Sequence, residues 1–279
     1  MWLGLFFCLN EALTPPINPR MPTRRPPRDS QRGSRRPAVT RPRTTALEES
    51  DLLATLAAET PGVADRAALT LSLLEFLAEI RGWNARGNLV SQSDLSRLVS
   101  RHVAESLAIV PLIDRLGVEQ ILDVGPGGGF PIVPVKLARP ELAVALVESR
   151  RMKSLFLRRL GSKLELESFW VWTMRVEPLA ELPATPESSS LARVAATATE
   201  ETPAIRPVVD LVTARAVASL ADLARWSERL VRPGGGLLTF KGSRLEEELA
   251  EWRRAPGPWE LESVAPGGPG VQHVLLRRL

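Results

Sequence analysis

Hydrophobic residues in the first part of the chain recur at the spacing of an amphipathic helix. The pattern predicts helices over residues 48–59, 66–80 and roughly 94–116, with a break expected near Pro111 in the third. Pro61-Gly62 separates the first two helices. All three precede the first predicted strand, so we expect them to form an N-terminal helical extension that caps a separate sheet.

The rest of the chain alternates between apolar strands and amphipathic helices. Strands are predicted at 121–123, 142–148, 169–174, 208–215 and 237–240, and helices at 130–139, 150–160, 220–231 and 245–252. The pattern ends in a hairpin, with strands at 259–264 and 271–276 around a turn-rich segment. Five alternating units closed by an antiparallel hairpin favour one seven-stranded α/β sheet over a dinucleotide fold with repeated halves.

Composition divides the chain further. The nine arginines of residues 1–45 outnumber the two acids there by seven, which exceeds the net charge of +4 of the whole chain, so the remainder is slightly acidic. We predict a disordered basic tail rich in Arg and Pro over 1–45, a helical cap over 46–117 and an α/β domain over 118–279. Residues 178–207, rich in Pro, Ala, Ser, Thr and Glu, are predicted to form a flexible insertion, largely disordered or loosely helical.

Several classes of protein are disfavoured. No apolar run approaches the roughly 18 residues that a membrane span needs, and residues 1–8 lack the cationic start and cleavage site of a signal sequence. Cys8 is the single cysteine and His102 and His273 are the two histidines, so we expect no disulfide and no metal site. A cytoplasmic location with no membrane partner fits these features.

Residues 121–130 are the most informative segment, because an apolar run ends at Asp123 and then breaks into glycines. Gly125, Gly127 and Gly129 predict a tight strand-to-helix turn, where the missing Cβ atoms let a nucleotide-like ligand approach the backbone. A carboxylate there would repel a pyrophosphate and suits a cationic ligand. S-adenosylmethionine carries an ammonium and a sulfonium, so we expect it as cofactor, although glycine-rich loops also serve as plain connectors.

Further charged residues are predicted at the same edge of the sheet. Glu148 ends the second strand 25 positions after Asp123, near the roughly 20-residue offset of an acid that binds ribose hydroxyls. The alternative for Glu148 is a solvated charge. Arg215 is an isolated cation in an apolar run, and the ends of parallel strands bring it towards Asp123, Glu148 and Glu177. Its alternative role is a structural ion pair with one of those carboxylates.

Several separate stretches resemble the GidB-type small-subunit rRNA (guanine-N7) methyltransferases, over about residues 68–279 without the insertion. The likeness is carried by Trp83-Asn84 with Asn88-Leu89, His102 with Glu105-Ser106-Leu107, Leu122 to Pro131 with Pro134, Glu148-Ser149 with Phe156-Leu157, Arg175-Val176-Glu177, and Thr213 to Ala218. It implies a Rossmann-like, seven-stranded class I methyltransferase sheet with an N-terminal helical extension. It also implies S-adenosylmethionine as cofactor and N7 of a guanine in 16S rRNA as the methylated atom.

Carried over by position, the resemblance implies that Gly125 and Phe130 line the cofactor site and that Val176 and Glu177 lie beside the adenine. It places Arg215 at the reaction mouth, as a candidate for positioning substrate or cofactor. The predicted cofactor-binding set is therefore Asp123, Gly125, Gly127, Phe130, Glu148, Val176, Glu177 and Arg215. No catalytic residue is assigned, because guanine N7 has a free lone pair and needs no base. We expect His102 to pack or orient a helix.

The chain also departs from the family pattern. Ile132 stands where the family has glycine, Glu105 and Glu148 replace aspartate, and Met152-Lys153 replaces a Lys-Arg pair. The helix predicted at 150–160 remains strongly basic and could dock RNA phosphates, as could the arginine tail, or it could be a merely solvated face.

Two other functions stay open from the sequence. One is a nicotinamide-dependent oxidoreductase on the same nucleotide-binding unit, and the other is a non-catalytic RNA-binding or ribosome assembly factor. The favoured interpretation has 16S rRNA of the small ribosomal subunit as partner and a monomeric enzyme.

Overall fold

The computed structural model describes residues 46–199 and 201–279. The basic tail predicted for residues 1–45 lies outside the described residues. Among the helices that are described, none is long and apolar enough to cross a membrane.

One seven-stranded sheet organises the described chain. Its strands are β1 (Gln120–Val124), β2 (Ala143–Val147), β3 (Phe169–Trp172), β4 (Val209–Arg215), β5 (Val231–Lys241), β6 (Trp259–Gly268) and β7 (Val271–Arg278). The spatial order is β3-β2-β1-β4-β5-β7-β6. The first five strands of that order are parallel, and β7 is antiparallel to both β5 and β6. The predicted fold class is confirmed.

Helices cover the sheet and precede it. They are α1 (Ala46–Glu59), α2 (Arg66–Gly87), α3 (Ala104–Leu107), α4 (Val110–Leu116), α5 (Ile132–Ala138), α6 (Arg151–Lys163), α7 (Val176–Glu181), α8 (Leu191–Ala196), α9 (Leu220–Ser227) and α10 (Leu245–Trp252). The apolar face of α2 is fully buried through Leu73, Phe76, Leu77 and Ile80. It belongs to the same hydrophobic cluster as residues of β1 and β2, so the N-terminal helices and the sheet share a core.

The helix predicted over 94–116 is broken more often than expected. Residues 95–97 form a 3₁₀ turn and residues 98–103 a π-helix, followed by α3 and α4. The break before α4 lies at Ala108–Ile109 rather than at Pro111, because a proline in the first turn of a helix needs no amide donor.

Two predicted boundaries at glycines are wrong. α6 continues through Gly161 to Lys163, because that glycine packs against an aromatic ring: a Cβ there would lie 2.8 Å from Phe169 Cδ1. β5 begins at Val231 and includes the glycines of 234–236, upstream of the strand predicted at 237–240. The backbone of β4 explains this, since a Cβ on Gly235 would lie 2.6 Å from the Asp210 carbonyl oxygen.

Residues 178–207 differ from the predicted flexible insertion. Their described part contains the end of α7, a 3₁₀ turn over Pro186–Ser189 and α8, in which Leu191 and Val194 are buried. The Gln120 side chain ties the segment to β1, donating to the Ser189 carbonyl at 2.8 Å and accepting from the Leu191 amide at 2.7 Å. The polar composition concealed this packing, because the buried residues of the segment are separated by exposed polar ones. The domain division at residue 117 stays a prediction.

Candidate active site at the carboxyl edge of the sheet

Asp123 is buried near the carboxyl end of β1, and β4 supplies its hydrogen-bond donor. The strand register places Thr213 beside it, and Thr213 Oγ1 donates to Asp123 Oδ1 at 2.6 Å. Asp123 Oδ2 is buried and has no hydrogen-bond partner among the described residues. Burial raises the pKa of this carboxyl well above its ordinary value, and the hydrogen bond from Thr213 opposes the shift. The free oxygen is therefore an acceptor that a cationic group would satisfy.

The glycine turn after β1 has the predicted backbone form. Gly125, Gly127 and Gly129 have φ angles of 66°, 59° and 95°, in the region that side chains disfavour. A Cβ on Gly125 would lie 2.8 Å from Val217 Cγ2, in the loop after β4. The Gly127 amide donates to Glu148 Oε2 at 3.2 Å. Both the bend and the close contacts thus require glycine.

Glu148 is buried immediately after β2 and is fixed by backbone donors. Its Oε1 accepts from the Arg150 amide at 2.8 Å, while Oε2 accepts from Gly127. The alternative of a merely solvated charge is wrong. Each carboxylate oxygen keeps a lone pair for a further donor, so the predicted ribose contact stays open.

Arg215 forms an ion pair that the sequence did not indicate. Its Nη2 lies 2.6 Å from Oε2 of Glu105, on α3, and their side chains are 12% and 2% exposed. Arg101 Nε lies 3.3 Å from the other oxygen of Glu105. The partner expected for a structural pair was Asp123, Glu148 or Glu177, so that assignment is corrected. Arg215 Nη1 is buried without a hydrogen-bond partner among the described residues, which leaves one donor free.

His102 lies in the π-helix beside the same cluster. Its ring centroid is 5.0 Å from that of Phe130, and neither ring nitrogen has a hydrogen-bond partner among the described residues. Burial, and then the positive charge of Arg215, lower the pKa of His102 to about 4. The imidazole is therefore neutral at physiological pH and packs on Phe130, in keeping with the helix-packing role expected for it.

Comparisons with known proteins identify the family of this chain. The family model GidB, described as rRNA small subunit methyltransferase G, matches residues 70–258. The chain belongs to the GidB family. Membership confirms the predicted family and the enzyme class, a methyltransferase of small-subunit rRNA with S-adenosylmethionine as cofactor. It favours that interpretation over an oxidoreductase and over a non-catalytic factor.

Curated relatives carry the name ribosomal RNA small subunit methyltransferase G. One from Roseiflexus sp. (strain RS-1) is 38% identical over 180 residues, 64% of this chain and 68% of that protein. One from Xanthomonas axonopodis pv. citri (strain 306) is 34% identical over 216 residues, 76% of this chain and 88% of that protein. A crystal structure of a proposed O-methyltransferase from Klebsiella pneumoniae aligns with a TM-score of 0.50 at 14% identity, covering 81% of this chain and 94% of that one. That likeness concerns the fold alone.

The remaining predicted residues of this GidB-family chain lie at the same edge of the sheet. Phe130 is buried between Phe76 and His102, with ring centroids 5.1 Å and 5.0 Å away. Val176 is the buried first residue of α7 and Glu177 lies half-buried beside it, directly after β3. Their contact with an adenine stays a prediction.

Two residues of the site were missed as partners. Thr213 could have been found from its place two residues before Arg215, since alternate residues of a strand share a face. Glu105 was recognised only as part of a resembling segment, with no sign that it would meet Arg215.

The residues present fit S-adenosylmethionine. The buried, unpaired oxygen of Asp123 supplies an acceptor for a cation, and the glycine turn keeps part of its backbone exposed at Gly125 and Gly127. Asp123 and Glu148, which raises the pKa of Asp123 by its charge, make this end of the sheet acidic. Such a pair favours a cofactor with positive charge.

The lowered pKa of His102 predicts a loss of stability in acid. Because the unfolded chain binds a proton near pH 6.5 and the folded chain only near pH 4, stability is present above pH 6.5 and falls as the pH drops through this window. His102→Gln should remove up to about 3 kcal/mol of that acid-induced loss. Urea unfolding of both proteins at several pH values measures it. An unchanged dependence on pH in the variant would contradict the assignment.

Proposed function

We propose that this chain methylates N7 of a guanine in 16S rRNA, with S-adenosylmethionine as methyl donor, as a cytoplasmic monomer acting on the small ribosomal subunit. The observation that carries the proposal is the buried, unpaired oxygen of Asp123 beside the glycine turn. The names of the relatives support the RNA substrate. The resemblance supports N7 as the target atom.

Asp123 would hold the positively charged end of the cofactor. A cation close to a buried carboxyl favours its ionised form, so binding would lower the raised pKa of Asp123 and create an attractive pair. The Thr213 hydroxyl keeps the carboxyl in one orientation through its 2.6 Å hydrogen bond. Glu148, Val176 and Glu177 would surround the nucleoside, with Glu148 accepting from ribose hydroxyls while it braces Gly127.

Arg215 would position an acceptor oxygen at the reaction mouth. One of its terminal nitrogens is held by Glu105, and the other is a buried free donor. Guanine displays O6 next to N7 on one edge, so a donor that binds O6 also orients N7. The N7 lone pair would form the new bond to the methyl carbon as the sulfur–methyl bond breaks. The electron pair of that bond stays on sulfur, which leaves as a neutral thioether, and positive charge passes to the guanine. No proton has to be removed, which agrees with the neutral His102 and with a site without an evident base.

The proposed reaction is tested with methyl-labelled S-adenosylmethionine and small ribosomal subunits from cells that lack the modification, with large subunits as control. We expect label in small-subunit RNA, recovered as 7-methylguanosine after digestion and mass spectrometry. Label in another nucleoside would overturn the N7 assignment. A lack of transfer to small-subunit RNA would overturn the proposed substrate.

A further inference from the structure

The cations of α6 fall into two groups. Those in its C-terminal half all have internal partners, through the ion pairs Arg158–Glu201 at 2.6 Å, Arg159–Glu79 at 3.8 Å and Lys163–Glu79 at 2.6 Å. Arg159 also lies over the Trp83 ring, 6.0 Å from its centroid. This half of the helix is therefore occupied by contacts within the protein.

The cations at the start of α6 are different. Arg150, Arg151 and Lys153 form no side-chain hydrogen bond or ion pair within the described part of the chain. The charge of Arg151 helps to lower the pKa of Glu201, but that carboxylate already forms an ion pair with Arg158. Met152 and Leu155, three positions apart on the helix surface, are 48% and 49% exposed. We name Arg150, Arg151, Met152, Lys153 and Leu155 the α6 basic face.

The α6 basic face adjoins the candidate active site. Its first residue donates its backbone amide to Glu148 Oε1 at 2.8 Å. A Cβ on Gly127 would lie 3.6 Å from Lys153 Nζ, so this ammonium lies over the glycine turn. A polymer bound to the face would therefore pass beside the glycine turn of the candidate site.

We propose that the α6 basic face binds the phosphate backbone of the RNA strand next to the target guanine, an inference that rests on the proposed function. Unpaired arginines and lysines bind phosphates and release counterions, whereas cations already paired within the protein gain little. The exposed Met152 and Leu155 supply an apolar surface for a ribose or an unstacked base.

The test compares two variants that each remove two positive charges from α6. Arg150→Gln/Arg151→Gln alters the α6 basic face, and Arg159→Gln/Lys163→Gln alters the paired half as a matched control. Binding to unmodified small ribosomal subunits is measured over a series of salt concentrations, with methylation kinetics in parallel. For the first variant we expect at least about tenfold weaker binding near 0.15 M salt, and a slope of log affinity against log salt smaller by about 1.4–1.8. Its affinity for S-adenosylmethionine and its kcat should stay unchanged while KM for the subunit rises.

The control variant should lose some stability and keep the salt slope of the wild type. The inference would be overturned by an unchanged salt slope in the Arg150→Gln/Arg151→Gln protein, or by an equal loss of slope in both variants. The proposed function would still stand in that case if the wild type methylates small subunits. Failure of the wild type to methylate small subunits would instead overturn the proposed function and, with it, this inference.

Discussion

Glu105→Ala is expected to lower the free energy of unfolding by about 3–5 kcal/mol and to reduce methyl transfer at least about a hundredfold. Glu105 is 2% exposed and pairs with Arg215, whose side chain is only 12% exposed, at 2.6 Å. Its removal leaves the buried guanidinium beside Arg101 without the carboxylate that pairs with it. Desolvation of the unpaired charge destabilises the fold, and the guanidinium loses the carboxylate that holds it at the end of β4.

A double-mutant cycle separates this pair from general damage. Urea unfolding of Glu105→Gln, Arg215→Gln and the combined variant should show a double variant that is less destabilised than the sum of the two singles, because it leaves no lone charge. Glu105→Asp keeps the charge and should retain part of the activity. The exposed pair Arg229–Glu181 is the control, since Glu181→Ala should cost at most about 1 kcal/mol. Additive effects at Glu105 and Arg215 would contradict the coupling.

Asp123→Asn should have opposite effects on stability and on cofactor binding. Burial raises the pKa of Asp123. Above about pH 4 the folded chain therefore keeps a proton on this carboxyl that the unfolded chain releases, and the free energy of unfolding of the wild type falls as the pH rises towards the raised pKa. The amide avoids this loss and can still accept from Thr213. It cannot pair with a cation, so affinity for S-adenosylmethionine should fall at least about tenfold, or about 1.4 kcal/mol.

Thermal unfolding between pH 5 and 8, combined with calorimetric titration, measures both effects. Asp210→Asn is the matched control, because Asp210 braces the amino end of β1 by accepting from the Glu119 and Gln120 amides. That change should lower stability without altering cofactor affinity. If the Asp123→Asn protein bound S-adenosylmethionine with the affinity of the wild type, this carboxylate would not be what holds the methyl donor.

The local parts of the site could be predicted from the sequence. The turn at Gly125 and Gly127 and the acid at Asp123 are encoded within ten residues, and the strand-end position of Glu148 follows from the second apolar run. The sheet itself follows from the alternation of strands with helices and from the final hairpin. These features depend on short-range pattern and on the rule that parallel strands end at one edge.

Features that depend on tertiary contact could not be predicted. Glu105 meets Arg215 only because the N-terminal helices pack over the carboxyl end of β4, and no spacing in the sequence records that approach. Gly161 looked like a helix end, whereas it makes room for the Phe169 ring. The composition of the segment around α8 is typical of disorder, because its few buried residues, such as Leu191 and Val194, are spread among exposed polar ones.

Calorimetric titration of the purified chain with S-adenosylmethionine and, separately, with NAD tests most directly whether the acidic edge of the sheet binds a cationic methyl donor. The account predicts one S-adenosylmethionine bound per chain and no binding of NAD. A heat of binding with NAD but not with S-adenosylmethionine, or no heat of binding with S-adenosylmethionine, would contradict it.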